Sequence, residues 1–202
     1  GGVGGRGHAS YAARATLPIM TTNDLPSRLA AAAVRLAATR PAIVERAPWP
    51  LAERFDDAPE AEWGPPEVLA HVAEMIPFWQ GEIERIIAGA ATQAANQPAP
   101  GVDGGVPEPV PFGRVATDGV RLAILERDRS LPPAELYDRI AWSLERLDRR
   151  WSTLTPGERD LRGLHPRLGE MTVEAIADRF IVTHLADHSR QLAEILGPSP
   201  MG

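Results

Sequence analysis

The chain has 202 residues, 44% of them apolar and 24% charged, enough for one generous soluble domain and too polar for a membrane protein. No stretch nears the ~18 consecutive apolar residues of a membrane span, and a net charge of −6 argues against a general phosphate-binding surface, so neither membrane nor nucleic acid is an expected partner. Cysteine is absent and all 21 basic residues are Arg, which excludes disulfides, Cys-ligated zinc, an intrinsic thiol nucleophile, Schiff-base lysine chemistry and a P-loop NTPase.

Residues 1–19 are Gly-rich, carry Arg6 and Arg14 and no acid, and lack the apolar core of a secretory signal. They read as a disordered leader or added remnant in which His8 has no role, with residues 20–198 forming the domain, and the expected location is cytoplasmic. Strand signals are scarce, and apolar residues recur at helical spacing. A first helix is expected over 25–47 through Leu25, Leu29, Ala32, Leu36 and Ile43, with N-cap oxygens at Thr22, Asn23 and Asp24 and a kink or break before Pro41. A second is expected over 65–89 through Val68, Val72, Met75, Trp79, Ile83 and Ile86, bent at Pro77. Residues 90–113 are rich in Pro and Gly and read as an irregular functional loop or crossover. A short helix over 118–128 and a third main helix over 132–154, through Leu136, Ile140, Leu144, Leu147 and Trp151, follow. The fourth main helix starts at Thr172 and runs to Leu196, where Gly197-Pro198 stops it. Four long amphipathic helices make an all-α four-helix bundle with one long Pro/Gly-rich loop, its core bulk supplied largely by five tryptophans.

At roughly 100° per residue from Val173, His184 falls near ~20°, His188 near ~60° and Gln191 near ~0°, inside the fourth helix's apolar stripe. Buried polar groups need partners, and an i, i+4 pair of imidazoles can converge on one ion. His71, at the flank of the second helix's stripe, is the candidate third ligand. A His71/His184/His188 set leaves coordination positions open for water or substrate, the mark of a catalytic metal site; a satisfied core cluster of histidines is the alternative.

At these residues the chain resembles a known family. Trp63-Gly64-Pro65-Pro66-Glu67-Val68-Leu69-Ala70-His71 is similar to the opening of the second helix in the DinB-like superfamily, which includes YfiT-type proteins and the metal-binding domain of mycothiol-dependent maleylpyruvate isomerases. His165-Pro166-Arg167-Leu168-Gly169-Glu170-Met171-Thr172-Val173 resembles its approach to the last helix, and His184-Leu185-Ala186-Asp187-His188-Ser189-Arg190-Gln191-Leu192 its paired-His signature. The resemblance covers about residues 24–197. It implies a four-helix bundle with crossover connections, a divalent metal (zinc or nickel) on three histidines, and homodimers. Residues 48–62 are longer than the family pattern and residues 90–113 unusually Pro-rich, so the substrate does not carry over.

Of the remaining polar residues, Asp187 is a candidate to hydrogen-bond a ligand imidazole from behind, being otherwise a solvated helix acid, and Gln191 a candidate to orient a ligand ring or a bound water, its alternative being to satisfy a neighbouring backbone carbonyl. His165 reads as a turn residue near the pocket mouth, Glu74 as solvated, Arg149 and Arg150 as a solvated helix end, and Trp142 as a subunit contact or loop cover. The expected function is a metal-dependent enzyme: a thiol-dependent transferase or isomerase, or a hydrolase, acting on a small molecule, with any thiol delivered as a low-molecular-weight cosubstrate. No residue stands out as a general base. The reading from another class is a non-catalytic, dimeric metal- or ligand-binding bundle.

Overall fold

The computed structural model describes residues 24–52, 62–96 and 108–197. The leader with its His8, and residues 97–107 of the Pro/Gly-rich stretch, lie outside them. The described chain is mostly helical with one small sheet.

Helix α1, Leu25–Glu45, starts where the Asp24 carboxylate accepts a hydrogen bond from the Ser27 N–H at 2.8 Å. It runs through Pro41 without the expected break. Pro41 removes one backbone donor, while Leu36 and Ile43, both buried, hold the helix on either side of it. Helix α2, Pro65–Asn96, likewise continues through Pro77, and it passes Gly89, where the sequence suggested an end. A Cβ on Gly89 would lie 2.5 Å from Val110 Cγ2, so this glycine lets a neighbouring strand approach rather than capping the helix. The Ala-rich residues after it are strong helix formers and extend α2 by two turns.

Strand β1, Val110–Pro111, follows, then helices α3, Gly119–Asp128, α4, Pro133–Thr153, and α5, Pro156–Asp160. Strands β2, Arg162–His165, and β3, Gly169–Thr172, form an antiparallel hairpin, and β1 adds parallel to β2 with Val110 opposite Gly163. Strands of two to four residues are too short for a periodic apolar signal, and in β2 the buried positions are Gly163 and His165 while Leu164 is exposed, which is why the sequence pattern did not reveal them. His165 ends β2 and is buried; its Nδ1 accepts from the N–H groups of Arg167 and Leu168 and so closes the hairpin turn. Its ring lies so close to Gly113 that a Cβ there would come within 2.7 Å, and Gly113 has φ +90°, a conformation that suits glycine alone.

The last long helix has three parts: α6, Val173–Ala177, a π-helical turn, Asp178–Thr183, and α7, His184–Leu196. Thr172 caps it by accepting from the Ala175 N–H at 3.1 Å, and Gly197 stops it with φ +71°. The π turn inserts one extra residue per turn and rotates everything after it. The buried face therefore passes from Val173, Ile176 and Ala177 through Ile181 to Leu185, His188, Ser189 and Leu192, whereas Gln191 and Ile195 are only half-buried.

Helix α1 packs on α7 and α4, and α2 packs on α4, α3, α6 and α7, around a single apolar core. Trp63, Trp79 and Trp151 are buried in it, but Trp142 is 56% exposed beneath Arg146, so the tryptophans divide between core and surface. No helix among the described residues is long and apolar enough to cross a membrane.

Candidate metal centre

Helix α2 opens with a buried anchor. Glu67, fully enclosed, accepts from the Ala52 N–H at 2.8 Å and from Arg129 Nη1 at 3.2 Å. This ties the segment entering α2 and the end of α3 to the first turn, one turn before His71. The Trp63 ring meets His71 edge-on at 5.4 Å.

The structure brings together the three histidines picked out by spacing. The candidate ligand nitrogens of His71, His184 and His188 all lie within 4.8 Å of one another. His71 Nε2 is 3.0 Å from His184 Nε2. Nitrogens that share an ion at ~2.0–2.1 Å sit roughly 3 Å apart, so this pair is already at ligand spacing. The same separation suits a hydrogen bond between one protonated and one bare ring nitrogen. His71 and His188 are buried and His184 half-buried, which leaves the cluster open on one side.

Behind His188, Nδ1 stands 2.8 Å from Gln191 Oε1. The amide oxygen can only accept, so the ring proton sits on Nδ1 and the Nε2 lone pair faces the other two rings. Gln191 thus holds the His188 ring through this one bond. Asp187 does not: its carboxylate pairs with Arg190 at 2.7 Å, 57% exposed, and contacts neither ring. Asp187 stands as an exposed helix acid paired within its own helix. Replacing Gln191 with Ala is expected to weaken metal affinity about 10–100-fold while leaving the fold intact, as read by competition against a chromophoric chelator.

Arg121 was not singled out in the sequence and is part of the site. Its backbone N–H bonds the Asp118 cap, Nη1 donates to the Ala116 carbonyl at 2.8 Å, and Nη2 lies 3.3 Å from His71 Nδ1. Donation from Arg121 puts the His71 proton on Nε2, facing His184. Ligation through His71 Nε2 moves that proton to Nδ1 and requires Arg121 to turn its donor elsewhere. With that one exchange the donor set, three neutral imidazoles and no competing thiolate, fits a borderline-soft divalent ion.

Burial holds His71 well below the ordinary imidazole range, reinforced by the His188 and His184 rings and by the positive charges of Arg121 and Arg114. His165 is also lowered, chiefly by burial and then by Arg167 and Arg179. Below about pH 6.5 the unfolded chain takes up protons at these histidines while the folded chain does not, so unfolding free energy falls as pH falls, by up to ~1.4 kcal/mol per unit per group. Urea melts of chelator-treated protein at pH 7.5 and 5.5 should show the midpoint dropping, and dropping less in His71→Ala. An equal drop in both proteins counts against a buried neutral His71.

Two of the three histidines, His71 and His184, line a cavity of about 500 Å³ together with Met75, Trp79, Phe180, Arg114, Arg121 and Asp187. Phe180 stacks on Trp79 with ring centres 4.1 Å apart and planes 12° apart, and on His165 behind it at 5.6 Å. The hairpin thus supports the cavity wall from outside. Glu74, expected to be solvated, is buried and ion-paired to Arg114, whose guanidinium lies 3.6 Å from the Phe78 ring centre. Arg150 is also not free: it grips Glu84 of α2 at 2.7 Å. No family model matches the chain, nor does any curated protein or solved structure.

Proposed function

We propose that this chain is a metalloenzyme of the DinB-like, YfiT-like kind, a four-helix bundle in which His71, His184 and His188 hold one divalent ion, zinc or nickel. The supporting observation is the meeting of three imidazoles from α2 and α7, two of which, His71 and His184, line an open cavity. Structural metal sites are closed by four protein ligands; a three-nitrogen set beside a cavity leaves room for a substrate atom. When bound, the ion supplies Lewis acidity, polarising a carbonyl or lowering the pKa of a coordinated water or thiol. The chain's own residues do the rest. Gln191 fixes the His188 ring, the Trp79–Phe180 stack excludes water from one wall, and Arg121 holds positive charge beside His71.

With no cysteine in the chain, thiol chemistry requires a low-molecular-weight thiol as cosubstrate, and the reading is of a cytoplasmic homodimeric thiol-dependent transferase or isomerase, or a hydrolase, on a small molecule. One observation favours the non-catalytic alternative, a metal- or ligand-binding dimeric bundle. Asp187 is the one carboxylate lining the cavity among the described residues, and Arg190 engages it. Elemental analysis of purified protein, then thiol transfer to an electrophile with and without chelator, separates the two. One ion per chain with chelator-sensitive turnover supports the enzyme. One ion with no thiol- or hydrolysis-linked turnover supports the binding role, and no ion after reconstitution removes both metal readings.

A further inference from the structure

Trp142, Arg149 and Arg150 stand out in the sequence, and none of them lies at the histidines. The structure gathers them along a second open cavity, of about 800 Å³, between α2 and α4, which shares no lining residue with the one at the histidines. Its α2 side carries Pro77, Gln80 and Gly81. Gln80 is 8% exposed, yet its amide makes no hydrogen bond among the described residues. A buried amide without a partner is costly, and this one lines a cavity in which a ligand can supply the partner. A Cβ on Gly81 would meet nothing within 4 Å, so the space over this turn of α2 is open.

The α4 side is aromatic and basic. Trp142, 56% exposed, has the Arg146 guanidinium 4.7 Å from its ring centre, and Arg146 makes no ion pair among the described residues. Arg149 meets Glu145 only at 3.7 Å, with the two side chains 66% and 68% exposed, a contact that neutralises little. Arg150 is neutralised by Glu84 at 2.7 Å. In a chain of net charge −6, Arg146 and Arg149 thus form a local positive stretch beside an open indole and a buried amide.

We propose that this cavity is a second ligand site, which takes a flat heteroaromatic oxyanion: the ring lies against Trp142, its polar edge meets the Gln80 amide, and the charged head meets Arg146 and Arg149. Residues three apart on a helix are neighbours, so one head reaches both guanidinium groups through charge-assisted N–H donors. An amide presents a donor and an acceptor side by side, which suits a ring bearing nitrogen or carbonyl groups better than a hydrocarbon one. The volume lies within the range of small-molecule sites. Heteroaromatic phosphates, such as nucleotides, and heteroaromatic carboxylates share this chemistry. The site does not depend on the metal reading.

Calorimetric titrations of the chelator-treated full chain test it, the treatment keeping a probe from ligating an ion at the histidines. Two pairs of probes differ in the charged head: adenosine monophosphate against adenosine, and nicotinate against nicotinamide. The expected result is saturable binding of at least one charged probe, about ten-fold or more tighter than its uncharged partner, and the pair that shows it names the head. Gly81→Leu fills the open space from the surface of α2 and should abolish binding, with helical circular dichroism and zinc uptake at the wild-type level. Arg146→Gln and Gln80→Leu should each weaken it about ten-fold. If Gly81→Leu loses its helical signal, the surface variant Arg146→Gln decides. No saturable binding of either charged probe overturns the site, as does equal binding within both pairs, or wild-type affinity in folded Gly81→Leu or in Arg146→Gln. A dimer that Trp142→Ala converts to monomer in sedimentation velocity makes the groove a subunit interface and also overturns it.

Discussion

Replacing His184 with Ala is expected to take metal content from one ion per chain to background while helical circular dichroism at room temperature stays at the wild-type level. Of the three proposed ligands, His184 is the one whose loss isolates the site from the fold. It is half-buried at the cavity edge, and its neighbours Leu185, His188, Ser189 and Leu192 carry the buried face of α7. Truncation there opens no core cavity, unlike the ~2–5 kcal/mol cost of emptying a packed aliphatic position. It does leave His71 and His188 as two nitrogens with no third, and two imidazoles from different helices do not retain a divalent ion against a chelator. Metal retained by His184→Ala places the ion elsewhere. Metal lost together with the helical signal makes the ion part of the folding energy, as in small zinc domains, and the site structural.

The parts of this molecule legible in its sequence are those governed by local periodicity. The stripes of α1, α2 and α4 are buried where spacing puts them, from Leu29 and Leu36 to Ile83, Ile140 and Trp151. The His184–His188 spacing was also local: both residues lie inside α7, beyond the π turn, so the turn rotates them together and cannot separate them. What a constant 100° projection could not carry across that turn was phase relative to Val173. It therefore placed Gln191 in the stripe, where Leu185 and Leu192 are the residues buried. The other failures are long-range. Glu74 is buried because Arg114, forty residues on, reaches back to it. Gly89 is not a helix stop because Val110 rests on it. Arg121 joins the site because α3 lies against α2, a packing that nothing in its own short helix announces.

Glu67→Ala is the substitution expected to cost the fold most, about 3–5 kcal/mol. The carboxylate is wholly enclosed, and Arg129, its partner, is 10% exposed. Arg129 Nη1 reaches the Ala52 carbonyl at 2.6 Å as well as Glu67, and Nη2 bonds Glu126 at 2.8 Å, so one guanidinium joins the segment before α2, the first turn of α2 and the last turn of α3. Alanine strips the Ala52 N–H of its acceptor and Arg129 of one of its carboxylate partners, and it empties an enclosed side-chain volume, three losses at one point. For a chain of this length each kcal/mol moves Tm by ~2–4 °C, so a drop of roughly 6–20 °C is expected by calorimetry. Glu67→Gln keeps an oxygen for the Ala52 N–H and loses only the charge, so it should fall between wild type and Glu67→Ala. Because His71 lies one turn further along α2 and Arg121 sits on the helix that Arg129 ends, loosening this anchor should also weaken metal affinity before the protein melts. A Tm within about 2 °C of wild type would mean that the enclosed pair contributes little net stability, and α2 would then owe its placement to apolar packing alone.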